Sequence, residues 1–98
     1  MSSYVTVAAS QTDAVLGTGG SGFNAGKNSL LERLIITVDA ATDAVVTLED
    51  GSGTAIPITT ASAPIGVHVV ELGIQSTIGP WQLTTGANAT VIAIGHFG

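Results

Sequence analysis

The sequence contains no cysteine, so neither a disulfide nor a thiolate metal site can stiffen it. It has two strong cations in 98 residues, Lys27 and Arg33, against seven acids, for a net charge of −5. Nucleic-acid binding needs several Lys or Arg side chains to neutralise phosphates, and this composition excludes it. Charged residues make up 9% of the chain, where soluble domains carry about 25%. No run approaches the roughly 20 apolar residues of a membrane helix, and "MSSYVTVAAS" lacks the basic flank and apolar stretch of a signal peptide. The expectation is a soluble chain made in the cytoplasm, without membrane contact. Aromatics are scarce as well: Tyr4, Phe23, Trp81 and Phe97 are all there are.

What the chain does have is short apolar runs punctuated by turn residues. "YVTVA" (4–8), "LIITV" (34–38), "AVVTLE" (44–49), "AIPIT" (55–59), "VHVVELGI" (67–74), "WQLTT" (81–85) and "TVIAIGHF" (90–97) each read as a strand. Leu34, Ile36 and Val38 share one face, and Val46 and Leu48 point inward. Pro57 confines its run to a sheet edge or strand end. Between the runs lie "DAATDA", "DGSG", "SAPIG", "STIGP" and "TGANA", all rich in residues that tolerate turn geometry. The pattern predicts one all-β domain over 1–98, a jelly-roll-like β-sandwich of seven to eight short antiparallel strands. "NSLLERLI" is the lone helical possibility, and it runs straight into a β-branched stretch.

Several segments imitate sites. Gly17, Gly19 and Gly22 match G-x-G-x-x-G, and Asp39 follows at about the distance of a ribose-binding acid. A dinucleotide fold needs a helix of 10 or more residues after the glycines. Asn24, Gly26, Asn28 and Ser29 oppose one, and no second βαβ unit follows, so no cofactor is expected. Gly26-Lys27 fails as a P-loop, because Asn28 follows it and Ser21 stands where the first glycine belongs. His68 and His96 could serve an enzyme or metal site only by converging with an acid such as Asp50 or Glu71, and neither has metal-pair spacing with a second ligand. No serine sits in a G-x-S-x-G elbow. "LEDGSGT" (48–54) lacks the ligands of a calcium loop and reads as a hairpin with Gly51 or Gly53 at positive φ. Trp81 alternates with Leu83 as a core anchor would, although a sugar-stacking role is conceivable for it. Asn88-Ala89-Thr90 fits a glycosylation acceptor and also an ordinary turn. Neither catalytic, cofactor-binding nor metal residues are predicted, and no small-molecule substrate.

Two strands lack a polar face. Val91, Ile92, Ala93 and Ile94 are consecutive apolar residues, and Val67, Val69 and Val70 flank His68. A domain this small has little material to cover both sides of a sheet, so these strands predict contacts between subunits. The residues expected at an oligomer or capsid interface are Tyr4, Val67, Val69, Val91 and Ala93. Residues 1–11 form a possible N-terminal arm reaching a neighbour, and the glycine-rich 17–28 loop is a second candidate for such contact.

The patterns "VLGTGGSGFNAGKNSLLERLIITV", "VTLEDGSGTAIPI" and "ELGIQSTIGPWQLTTGANATVIAIGHF" together cover most of the chain. In them the chain resembles a family of small virion proteins of tailed bacteriophages. Its 19–28 glycine loop is longer than that pattern. The resemblance implies a non-enzymatic β-sandwich of the virion, assembled in the host cytoplasm: a capsid decoration (cement) protein bound to the major capsid protein on the outer shell, preferably as a trimer. A tail or head-fibre component, a carbohydrate-binding jelly roll and, last, a small hydrolase are the alternatives.

Overall fold

Alternation of β-branched and small polar residues gives each strand one side to bury and one to leave outside, and turn residues end it before the pattern slips. The computed structural model describes residues 3–16, 29–51 and 53–96. It contains eight strands: β1 (Ser3–Val7), β2 (Ala14–Val15), β3 (Leu30–Val38), β4 (Val46–Asp50), β5 (Ile56–Thr59), β6 (Gly66–Gln75), β7 (Trp81–Thr85) and β8 (Ala89–His96). They form two antiparallel four-stranded sheets, ordered β1-β8-β3-β6 and β2-β7-β4-β5.

The pairing is nested. β1 meets β8, β2 meets β7, β3 meets β6 and β4 meets β5, while β8·β3 and β7·β4 close each sheet. That is a long folded ribbon wound into a sandwich, the jelly-roll arrangement. No helix occurs among the described residues, so none there is long and apolar enough to cross a membrane. The strand expected over 34–38 is present and extends back to Leu30 in place of the helical alternative: residues 30–38 are the central strand β3, where β-branched Ile35, Ile36, Thr37 and Val38 favour the pleat. Gly17, Gly19, Gly22, Lys27 and the rest of the 17–28 loop lie outside the described residues, and a strand stands immediately after them.

The core lies between the sheets. Leu31, Leu34, Ile36 and Val38 of β3 face Val46, Leu48 and Leu83 of the other sheet across it, all buried. Inward positions in β3 skip from Leu31 to Leu34 because the strand bulges: Leu31 pairs with Gly95 and Arg33 with Ile94, leaving Glu32 extra. Gly95 is required there, since a Cβ would collide with the Leu30 carbonyl oxygen.

Two expectations about β1 and β8 need correction. Ser3–Val7, foreseen as part of an arm, pairs with β8 from Ser3↔Gly95 to Val7↔Val91, and Val7 is buried in the core. Strand β8 does not present Val91 and Ala93 outward. Both are fully packed between the sheets, and Ile92 and Ile94 take the outer side. A run of four apolar residues hides which two face inward, and the register with β3 decides it.

Candidate interaction surface

Register places side chains in rows across the outer face of the β1-β8-β3-β6 sheet. One row runs Thr6, Ile92, Ile35, Val69. The next runs Tyr4, Ile94, Arg33, Glu71, and on the other side Thr90, Thr37 and Val67 align. The apolar members stand in solvent: Tyr4 is 71% exposed, Val67 64%, Val69 58% and Ile92 37%. Ile65, in the turn before β6, is exposed as well. Arg33 and Glu71 are the charges on these rows, and they neutralise one another through a 3.2 Å Nε–Oε2 contact. Of the residues predicted at an interface, Tyr4, Val67 and Val69 therefore share this face, and Val91 and Ala93 do not.

The outer face of the β2-β7-β4-β5 sheet has a different character. Its rows run Val15, Gln82, Glu49 and Thr84, Thr47, Pro57. Asp13, in a left-handed backbone conformation just before β2, receives a hydrogen bond at Oδ1 from the Thr84 hydroxyl, 3.3 Å away. A hydrogen bond with Asp13, with partial desolvation and the repulsion of the neighbouring carboxylate, holds the Glu49 carboxyl above its ordinary pKa. Two acids side by side make this face polar and negative.

The remaining candidates resolve into structural roles. The Asp50 carboxylate accepts hydrogen bonds from the Thr77, Ile78 and Gly79 amides and the Thr77 hydroxyl, at 2.9–3.3 Å. Burial pushes its pKa up, but these bonds together outweigh burial and hold it below its ordinary value. It clamps the β6–β7 loop onto the β4–β5 hairpin. Gly51 has φ +57°, as the hairpin requires, and a Cβ there would come within 2.8 Å of the Gly79 nitrogen. Sequence reasoning saw only the turn; the acid next to the glycine was the available signal.

His68 Nε2 lies 2.8 Å from the Pro64 carbonyl, and His96 Nε2 lies 3.4 Å from Glu32. The two histidines pair with Ile36 and Leu30, six residues apart along β3, which is about 20 Å. No group of three His, Asp or Glu side chains converges among the described residues. Trp81 is 3% exposed and donates its indole N–H to the Ser29 carbonyl at 2.9 Å, so it is a core anchor and offers no stacking platform. Asn88 donates to the Thr42 carbonyl at 2.7 Å, a turn-stabilising role.

No family model matches the sequence, and no curated protein matches it. Among solved structures, the chain is similar to the coat protein of Tobacco streak virus, determined as a dimer, at 10% identity and a TM-score of 0.34, over 99% of this chain and 86% of that one.

Proposed function

We propose that the chain is a non-enzymatic structural component of a virus particle: a decoration protein on the outer shell of a tailed bacteriophage. It self-associates and binds the major capsid protein. The observation that carries this reading is the outer face of the β1-β8-β3-β6 sheet, where Tyr4, Val67, Val69 and Ile92 stand exposed around one mutually neutralised ion pair. A chain of net charge −5 that leaves its least charged face in water is suited to cover that face with protein. The acidic balance turns it away from packaged DNA and so toward the outside of the shell. The sequence resemblance supplies the particle and implies a trimer. A jelly roll also serves lectins, but the burial of Trp81 removes the strongest aromatic a glycan would stack on.

Immunogold electron microscopy of intact particles tests the reading. Label over the capsid surface is expected. Label along tail or head fibres selects the fibre alternative, and particles without label, with the protein left in the cleared lysate, overturn a virion role.

A further inference from the structure

We propose that β6 pairs antiparallel with β6 of a second copy about a two-fold axis near His68, joining two four-stranded sheets into one of eight strands. The inference rests on the self-association reading above and puts a two-fold pair in place of the trimer that the resemblance implies.

Sheet edges are templates for pairing unless something blunts them. This fold has four edge strands. β1 has five residues, β2 has two, and β5 has four with Pro57 among them. β6 is the exception: ten residues, GVHVVELGIQ, with neither proline nor lysine. One side of Gly66–Glu71 is held by β3, and among the described residues no strand lies on the other. Its single carboxylate, Glu71, is taken up by Arg33.

A second copy fits this edge for reasons of symmetry and charge. A two-fold axis makes two copies of one strand antiparallel automatically. Centred on His68, it sets Val67 opposite the partner's Val69 twice over, and cross-strand pairs of β-branched residues stabilise a ladder. It also keeps the two Glu71 side chains about 20 Å apart, six residues along the ladder. A centre nearer the C-terminal end of β6 would bring them together. Two chains of net charge −5 repel over most of their surface, and this neutral strip is where they can approach. Five paired residues on each copy, Gly66–Val70, bury less than a standard interface, so the dissociation constant should be on the order of tens of micromolar.

Light scattering from about 1 μM to 1 mM should show the mass rising to twice the 9.7 kDa of the chain. The double variant Val67→Lys/Val69→Lys should weaken the dimer at least about tenfold by setting like charges across the ladder, without changing the melting temperature. His68→Cys, in a chain with no other cysteine, should oxidise to a linked dimer, because opposed residues meet disulfide geometry; Tyr4→Cys, on the far edge, should not. A trimer overturns the edge pairing, as does a dimer that survives the lysines and resists linking at position 68. So does a wild-type chain that stays monomeric. If that monomer loses particle binding in the lysine variant, the edge takes a strand of another protein. In each of these cases the microscopy of whole particles still decides the virion reading independently.

Discussion

The two sheets are alike inside and unlike outside. Each has four strands, each turns Leu, Ile and Val side chains inward, and both contribute fully buried residues to one core. Outside, one presents Tyr4, Ile92, Val67 and Val69, and the other presents Gln82, Thr84 and the Asp13–Glu49 pair beside a single exposed valine, Val15. The inner likeness explains folding, since the sandwich needs nothing more than two apolar faces brought together. Folding makes no demand that the outer faces differ. An apolar outer face weakens solubility without strengthening the fold, so its origin is to be sought in what the molecule touches.

The inner likeness would be broken if the two halves of the core were unequal. Leu34→Ala in one sheet and Leu48→Ala in the other should each cost about 2–5 kcal/mol, because both side chains are fully buried and leave a cavity. Urea unfolding measures both. A cost below about 1 kcal/mol for either would show that sheet to be loosely held.

A smaller effect is expected at the Asp50 clamp, where one sheet's hairpin holds the loop between the sheets. Asp50→Asn should cost about 1 kcal/mol at neutral pH, a hydrogen-bond value reduced for solvent screening. Because the folded carboxyl has the lower pKa, its contribution is complete above the ordinary value of 3.8 and is lost as pH falls through the folded value. Unfolding midpoints of wild type and variant should therefore converge once the pH has fallen through the folded carboxyl's pKa, which lies below the ordinary value.

The outer faces should show the smallest changes in stability, of two different kinds. Val69→Thr should alter it by less than about 0.5 kcal/mol with no dependence on pH. Glu49→Gln should raise it slightly at neutral pH by relieving repulsion from Asp13. Glu49 has a raised pKa in the fold, so its ionised form opposes folding. That penalty is full above the raised value and vanishes below the ordinary one, so the gain should disappear on acidification. A pH-dependent effect at Val69, or none at Glu49, would erase the distinction between the faces.

Much of this was legible in the sequence. Short apolar runs bounded by turn residues located seven of the eight strands, alternation put Val46 and Leu48 inward and made Trp81 a core residue, and the missing amide of Pro57 set it on an edge, and each stands so. Strand β2 escaped notice because two residues cannot show a period. Val91 and Ala93 were assigned to the wrong side because an unbroken apolar run carries no alternation, and only pairing with Ile36 and Leu34 fixes the side. Tyr4 to Val7 looked detached because its partner, β8, lies at the other end of the chain. The exposed Val67 and Val69 were visible as a strand with too few polar residues. That this strand is an edge was not, because edge position is a property of topology.

One more consequence follows from Trp81. Its carbonyl accepts from the Leu16 amide at 2.8 Å, and its indole donates to the Ser29 carbonyl at 2.9 Å. Leu16 and Ser29 are thus fastened to one residue, whose side chain and backbone together act as a buckle. Ser29 is secured again by Ser76, whose amide donates to the Ser29 carbonyl and whose hydroxyl accepts from the Ser29 amide. A peptide inserted between positions 16 and 29 would thus begin and end on fixed points. For a flexible insert, each doubling of length costs only about 0.6 kcal/mol. An insertion variant of this kind is therefore expected to keep the melting temperature of the parent within a few degrees.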